Sequence, residues 1–211
     1  MATLTVTGRG HHGRVLLPTV CPVCAAAGPA PCTPCRGAVR RPPPTPAPPG
    51  VDSLAALMVY AGVGREIVAR LKYRNARSAV AWLADGMAAL VDAASFDVVT
   101  WVPTTASRRR QRGFDQGRLL ATAVGRRLHL PCRGLLRRRP GPPQTGRSRA
   151  ERLSGPLLAP SRWSPTPPRV LVVDDVVTTG ATLAAAAGAL RSAGAQEVHA
   201  LVAGRRPMGR R

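Results

Sequence analysis

The chain is poor in aromatic residues, poor in acids and free of long apolar runs. Aromatic side chains make up 3% of the 211 residues although 45% are hydrophobic, so we expect an aliphatic core. No run reaches the roughly 18 apolar residues of a membrane-spanning helix, and no membrane span is expected. The N-terminus also lacks the apolar segment and small-residue cleavage site of a secretory signal. We therefore predict a cytoplasmic protein with one ordinary domain and an appendage.

Acidic residues are scarce relative to basic ones. Ten acids face 31 basic residues, all arginine except Lys72, which gives a net charge of +21 and a pI near 11.8. Such a balance favours polyanionic partners, with nucleic acid first among them. GC-rich coding would explain arginine in place of lysine, but it would not explain the scarcity of acids. A nucleic-acid surface and a generally basic protein that binds small anions both remain open.

Two common nucleotide motifs are missing, the Gly-x4-Gly-Lys-Ser/Thr P-loop and the Rossmann glycine fingerprint. Another phosphate motif is present at residues 170–182, Val-Leu-Val-Val-Asp-Asp-Val-Val-Thr-Thr-Gly-Ala-Thr. Four apolar residues predict a strand buried on both faces, with Asp174 and Asp175 just beyond its end. The Thr-Thr-Gly-Ala-Thr turn leads into an alanine-rich helix, whose free N–H groups suit a phosphate. A ligand that carries both a sugar and a phosphate fits this segment.

The first part of the chain holds four of the five cysteines, spaced C-x2-C-x7-C-x2-C. In a reducing compartment this spacing indicates a metal site, and thiolates suit tetrahedral zinc. A redox pair, or a remnant site that no longer binds metal, remains an alternative. Residues 42–49 are mostly proline and predict a stiff linker after this module. The four predicted zinc ligands are Cys21, Cys24, Cys32 and Cys35.

Strand and helix patterns alternate along the rest of the chain, which predicts a parallel, doubly wound sheet. The first helix is expected to start at Asp52 or Ser53 as cap and to reach Leu71, with Gly62 and Gly64 as interruptions. The other predicted elements are helices over 76–91 and 114–128, strands over 96–102, 170–173 and 197–203, and a loop over 137–168.

Several motifs resemble known families when taken in order. Residues 174–182 resemble the 5-phosphoribosyl-1-diphosphate (PRPP) motif of type I phosphoribosyltransferases. A wider set resembles the ComF-like branch, which is associated with bacterial competence and joins a cysteine module to a phosphoribosyltransferase-like domain. That set comprises the cysteine pairs, Tyr60-Ala-Gly, Leu71-Lys72-Tyr73, Trp101-Val102-Pro103, Arg112-Gly113-Phe114-Asp115-Gln116 and Gln144…Arg152.

The resemblance implies an α/β, type I phosphoribosyltransferase-like fold with a small N-terminal zinc-knuckle module. It divides the chain into a cysteine module over 1–41, a linker over 42–50 and a phosphoribosyltransferase-like domain over 51–211 with its core at 96–204. Asp174 and Asp175 are implied as the catalytic pair that holds the ribose hydroxyls, directly or through Mg²⁺. The implied 5′-phosphate residues are Thr178, Thr179, Gly180, Ala181 and Thr182. The implied diphosphate and lid residues are Pro103, Thr104, Arg108, Arg109, Arg112, Gln144 and Arg152.

The chain departs from the family pattern at two places. Thr104-Thr105 stands where a second Val-Pro-like step is usual, and Leu153-Ser154-Gly155 replaces an asparagine after Arg152. The function implied is nevertheless a Mg²⁺-dependent PRPP-binding protein that transfers or senses a phosphoribosyl group, with an enzyme favoured. The alternative is a non-catalytic DNA-uptake protein that binds single-stranded DNA and keeps the fold as a PRPP sensor or scaffold. No residue indicates the acceptor substrate or the oligomeric state.

Overall fold

A four-stranded parallel sheet forms the centre of the protein. The computed structural model describes residues 19–71, 78–139, 156–162 and 165–207. In chain order, the first elements are α1 (Thr33–Gly37), β1 (Ser53–Val59), α2 (Gly62–Arg70), α3 (Val80–Ala88) and β2 (Val98–Trp101). They are followed by α4 (Ala106–Arg112), α5 (Gln116–Leu128), β3 (Leu136–Arg138), β4 (Leu158–Pro160), β5 (Arg169–Val177), α6 (Ala181–Arg191) and β6 (Glu197–Arg205).

Both faces of the sheet are covered. The strand order is β1-β6-β5-β2 with every neighbouring pair parallel, while β3 and β4 form a separate antiparallel pair. Helices α2, α3 and α5 contribute to one buried aliphatic cluster, and α6 with Leu135 and Leu136 contributes to a second cluster on the opposite face. The predicted parallel sheet with helices on both sides is therefore confirmed.

Strand β5 lies at the middle of this arrangement. Val170 and Val172 belong to the α6-side cluster, whereas Leu171 and Val173 belong to the cluster under α2, α3 and α5. The predicted burial on both faces is confirmed. The strand is longer than predicted, because it continues through the acidic pair to Val177.

The regular alternation of side chains breaks at the acidic pair. Val173 and Val176 pack against the same cluster although three positions separate them, and Val177 packs against the other. In a regular strand, positions an odd number apart face opposite sides. Regular alternation therefore does not hold across Asp174 and Asp175, and both carboxylates line the same cavity.

The helix predicted to start at Asp52 or Ser53 is wrong in its first half. Residues Ser53–Val59 form β1, which pairs with β6, and helix α2 begins only at Gly62. The apolar stretch Leu-Ala-Ala-Leu-Met-Val shows no polar alternation, so its period could not distinguish a strand from a helix. Asp52 caps no helix here. Its carboxylate accepts the N–H of Val198 at 2.7 Å and pairs with Arg191 at 2.6 Å.

Other boundaries also differ from the predictions. Helix α3 is shorter than the predicted 76–91, of which residues 76 and 77 lie outside the described residues. The basic stretch at 106–112, for which no element was predicted, is helix α4, and β3 and β4 lie at or within the predicted loop over 137–168. Gln144 and Arg152 lie outside the described residues. None of the helices in the described ranges is long and apolar enough to cross a membrane.

The proline-rich segment lies against the sheet domain. The carbonyl of Arg40 accepts the N–H of Val59 at 2.9 Å, and Ala47 packs against the α6-side cluster. Pro48 packs against Gly180, since a Cβ added at residue 180 would lie 2.6 Å from Pro48 Cγ. The segment that follows the cysteine module thus contacts the turn between β5 and α6.

Candidate functional site

A cavity of about 270 Å³ opens at the carboxyl ends of the adjacent strands β2 and β5. Ligands of open α/β sheets bind at this edge, because the loops after parallel strands meet there. The residues that line the cavity are Val102, Pro103, Thr104, Arg108, Arg112, Asp115, Gln116, Gly117, Arg138, Asp174, Asp175, Val176 and Thr182.

Asp174 and Asp175 form the acidic side of the cavity. The Asp175 N–H donates to Asp174 Oδ1 at 2.8 Å, and neither carboxylate forms an ion pair with another described residue. Burial, followed by the negative charge of Asp175, raises the pKa of Asp174 well above its usual value. Two adjacent carboxylates without a cationic partner form a donor set that suits Mg²⁺, which binds through one or two carboxylates while keeping several waters.

The turn after β2 forms the opposite wall and is held by two capping residues. Thr105 Oγ1 accepts the N–H of Arg108 at 3.2 Å and begins α4. Asp115 caps α5 by accepting the N–H of Arg118 at 3.3 Å, and its other oxygen accepts the N–H of Thr104 at 2.9 Å. Asp115 thereby fixes the start of the turn, and Gly113 joins the two helices with a φ of 75°.

Arg138 and Gln116 line the cavity but were not among the predicted site residues, and the same holds for Asp115. Arg138 comes from β3, and its Nε donates to the Pro103 carbonyl at 2.7 Å. Burial, followed by the charge of Arg108, lowers the pKa of Arg138. Gln116, the first residue of α5, is buried and accepts a hydrogen bond from Arg112. Arg138 is the middle of three consecutive arginines, so nothing in the sequence indicates which of the three lines a site. Gln116 belongs to the Arg-Gly-Phe-Asp-Gln motif and could have been predicted from it.

The turn between β5 and α6 and the first two residues of α6 carry the five residues predicted for a 5′-phosphate. Thr182 lines the cavity with the acidic pair, while Thr178 and Thr179 are exposed on the turn. The Ala181 N–H is 3.4 Å from Thr179 Oγ1, and no side chain caps α6. Gly180 adopts a φ of 81°, a left-handed conformation that glycine accepts without strain.

The predicted diphosphate residues separate into two groups. Pro103, Thr104, Arg108 and Arg112 share the cavity with the acidic pair. Arg109 instead lines a neighbouring groove of about 1110 Å³, which runs along α5 and touches the cavity at Pro103, Thr104, Asp115 and Arg138. The groove also contains Trp101, with the Arg118 guanidinium 5.8 Å from its ring centre, together with Arg126, Arg127 and Arg137.

The four cysteines of the N-terminal module lie together. Their Sγ atoms are all within 4.8 Å of one another, and those of Cys24 and Cys32 are 3.5 Å apart. Tetrahedral zinc with Zn–S bonds near 2.3 Å needs sulfur atoms about 3.8 Å apart, so the cluster fits a four-thiolate metal site. Burial opposes ionisation of Cys21, but N–H donors led by Cys32 lower its pKa to about 6. The cysteines are free thiols, and the cluster can hold a metal ion.

Comparison with known proteins places the site in a family context. Residues 115–211 match the phosphoribosyl transferase domain family, which covers just under half of the chain. The fold is thus α/β of the type I phosphoribosyltransferase class, as predicted. The matched region contains both the acidic pair and the Gly180 turn.

Comparison with individual proteins adds one solved structure. That structure is described as the allosteric regulatory enzyme of purine biosynthesis, and it is 26% identical with a TM-score of 0.45. The alignment covers 64% of this chain and 30% of that chain, so this chain corresponds to less than a third of its length. No curated protein matches significantly.

Proposed function

We propose that the domain over 51–211 binds PRPP together with Mg²⁺ and transfers, or senses, its phosphoribosyl group. The observation that carries the proposal is one cavity that joins the acidic pair of β5, the turn after β2 and Thr182 of α6. This cavity lies largely within the region that matches the phosphoribosyl transferase domain.

Each wall of the cavity supplies a different part of PRPP recognition. Asp174 and Asp175 would accept hydrogen bonds from the ribose hydroxyls and would hold Mg²⁺. The turn at 178–182, where Thr178 and Thr179 are exposed, would offer backbone N–H groups and threonine hydroxyls to the 5′-phosphate. Bound Mg²⁺ would neutralise charge on the diphosphate as it leaves the ribose.

Arginine side chains would hold the diphosphate. Arg108, Arg112 and Arg138 line the cavity, and a guanidinium matches the bidentate geometry of phosphate oxygens. The Asp115–Thr104 hydrogen bond would keep the turn after β2 in place as the diphosphate binds. The positive wall would thereby stabilise negative charge that develops on the leaving group.

Titration calorimetry with Mg²⁺ and PRPP tests the proposal. We expect micromolar binding by the unmodified protein and none by the double variant Asp174→Asn/Asp175→Asn. The matched control is Glu66→Gln/Asp92→Asn, which also removes two carboxylates but from exposed positions outside the cavity. Equal binding by the site variant and the control would refute the site.

The arginine-lined groove favours a second candidate function. We propose as the alternative that a non-catalytic, competence-associated protein of the ComF-like type binds single-stranded DNA along α5. Arg109, Arg126 and Arg137 would contact phosphates, and Trp101 would offer a stacking surface. The affinity should then fall linearly with salt on logarithmic axes, and Arg109→Ala/Arg126→Ala should flatten that slope by about two units. A shallow slope in the unmodified protein contradicts the alternative.

The N-terminal module is proposed to bind zinc through Cys21, Cys24, Cys32 and Cys35. Metal analysis of the purified protein should find one zinc per chain, lost when Cys24→Ser and Cys32→Ser are combined. A protein that retains the metal after this change would contradict the four-cysteine ligand set. Free thiols in a metal-type cluster fit a reducing compartment, so the cytoplasm remains our prediction for location.

A further inference from the structure

The side chain of Gln116 is the most deeply buried amide among the described residues, with 5% of its surface exposed. Its Oε1 accepts a hydrogen bond from Arg112 Nη1. Its Nε2 is buried and has no hydrogen-bond partner among the residues that the structure describes. A buried donor without a partner is rare in folded proteins, because burying it without a hydrogen bond is costly.

The orientation of this amide follows from its neighbour. A guanidinium only donates hydrogen bonds, so the oxygen of Gln116 must face Arg112. The NH₂ group must then point away from Arg112, since exchanging the two ends would set donor against donor. Gln116 and Arg112 both line the 270 Å³ cavity, so a ligand that binds there lies next to the Gln116 side chain and can offer an acceptor to the NH₂ group.

The surroundings identify the kind of acceptor. Arg108, Arg112 and Arg138 line the same cavity and give this side positive charge. The nearby Asp115 carboxylate is already engaged by the N–H groups of Thr104 and Arg118. Gln116 is also the first residue of α5, a helix of 13 residues whose N-terminus is its positive end.

We propose that the Gln116 side-chain amide is a further ligand-binding group, which donates a hydrogen bond to an oxygen of the diphosphate part of PRPP. This inference rests on the proposed function and adds a specificity-determining contact to it. Arg112 holds the amide oxygen, so the donor is already oriented before the ligand arrives. The acidic pair and the turn at 178–182 would bind the ribose and the 5′-phosphate, so the Gln116 contact would be made only by a ligand that carries a diphosphate. This contact would therefore favour PRPP over ribose 5-phosphate.

Three probes titrated in the presence of Mg²⁺ separate the parts of the site: inorganic diphosphate, ribose 5-phosphate and PRPP. The variant Gln116→Met keeps the approximate length of the side chain but removes the donor. We expect it to weaken binding of diphosphate and of PRPP by about 10- to 100-fold, and to change ribose 5-phosphate binding by less than about twofold. Gln116→Glu should weaken diphosphate further, since it places a negative charge against the anion. Gln196→Met, an exposed position outside the cavity, is the matched control and should leave all three affinities unchanged.

The results distinguish a failure of this inference from a failure of the proposed function. If Gln116→Met binds diphosphate as tightly as the unmodified protein, or loses all three ligands equally, the inference is overturned while PRPP binding by the unmodified protein still supports the function. If the unmodified protein binds diphosphate but not PRPP, and Gln116→Met loses the diphosphate, the amide contact stands and the proposed function falls.

A second measurement does not depend on the folding of a variant. In the unmodified protein labelled with ¹⁵N-glutamine, the Gln116 side-chain NH₂ resonance should shift when diphosphate is added and stay in place with ribose 5-phosphate. A resonance that responds to ribose 5-phosphate and not to diphosphate would overturn the inference.

Discussion

The paired strands β2 and β5 have carboxylates at both ends of the pair, and the two ends differ in whether those carboxylates have a cationic partner. At the amino end, Asp97 accepts the N–H of Arg169 at 2.9 Å and its guanidinium at 2.6 Å. These bonds lower the pKa of Asp97. At the carboxyl end, Asp174 and Asp175 face a cavity without an ion-pair partner among the described residues, and burial raises the pKa of Asp174.

Within this one pair of strands, the amino end contributes to stability, whereas the carboxyl end is where we propose that the ligand binds. At the amino end, the Asp97 carboxylate pairs with the Arg169 guanidinium, so its charge is neutralised within the protein and stabilises the sheet. The carboxyl end leaves two charges for an external cation or hydroxyl group, which costs stability in the free protein. A raised pKa at Asp174 and a missing ion-pair partner thus distinguish the carboxylates that we propose as binding groups from the structural carboxylate of Asp97.

The largest effect is expected at Gly180, on the turn beside the acidic pair. Gly180→Ala forces an L-residue to a φ of 81° and places its Cβ 2.6 Å from Pro48 Cγ. PRPP affinity should fall by about 100-fold or more, and stability by about 1–3 kcal/mol. The control is Gly188→Ala on the same helix, where an added Cβ meets nothing within 4 Å. Titration calorimetry and thermal unfolding of the two variants should differ sharply, and similar behaviour would contradict the role of the turn.

The second effect concerns the acidic pair. Asp174→Asn removes a half-buried charge beside Asp175 but keeps the oxygen that accepts the Asp175 N–H. We expect weaker Mg²⁺–PRPP binding together with a Tm higher by about 2–4 °C, the shift that about 1 kcal/mol produces in a protein of this size. Differential scanning calorimetry without metal measures the gain, with exposed Asp92→Asn as control. A fall in Tm would show that the pair is structural.

The third effect is confined to stability and has the opposite sign. Asp97→Asn removes the charge that pairs with Arg169 at the amino end. The Tm should fall by about 2–4 °C, while PRPP binding stays unchanged because Asp97 lies outside the cavity. Glu66→Gln, which breaks the looser 3.8 Å pair with Arg70, should lower the Tm less. Loss of PRPP affinity in Asp97→Asn would contradict the separation of the two ends.

The smallest effect is the pH dependence that follows from the two pKa shifts. The pKa of Asp97 is lowered below its ordinary 3.8, so its stabilising contribution is present above that pH and is lost as pH falls through the lowered value. The pKa of Asp174 is raised, so its destabilising effect grows as pH rises above 3.8 and is complete above the raised value.

Thermal unfolding in EDTA at several pH values checks both signs. The Tm deficit of Asp97→Asn should shrink in acid, and so should the Tm gain of Asp174→Asn. A gain from Asp174→Asn that grows as pH falls would contradict the assigned direction.

Parts of this arrangement followed from the sequence because they are local. The run Val170–Val173 is apolar on both faces, and that pattern predicted a covered strand whatever its neighbours. The stretch Ser53–Val59 is also apolar but lies at the sheet edge, and only its pairing with β6 selects a strand over a helix. Propensity and periodicity leave such segments to tertiary contacts.

For the candidate site, too, the sequence predicted the residues that lie close together in the chain and not those that the fold brings in from elsewhere. The acidic pair and the glycine turn are consecutive in sequence, so a motif could name them. Arg138 reaches the cavity from β3, 35 positions beyond the carbonyl that it contacts. Its two neighbours are also arginines, and only the fold selects which of the three faces the cavity. Arg109 is the opposite case: the sequence predicted it as a diphosphate residue, but on helix α4 it lines the neighbouring groove.

The contact between Pro48 and Gly180 limits how freely the chain could be recombined. A new N-terminal module joined to this domain would have to retain the proline at position 48, or the contact behind the Gly180 turn would change with it. Position 180, in turn, could accept a side chain only if position 48 became smaller and the turn adopted another backbone conformation. The two positions should therefore vary together, which makes the segment before β1 part of the inherited unit rather than an exchangeable spacer.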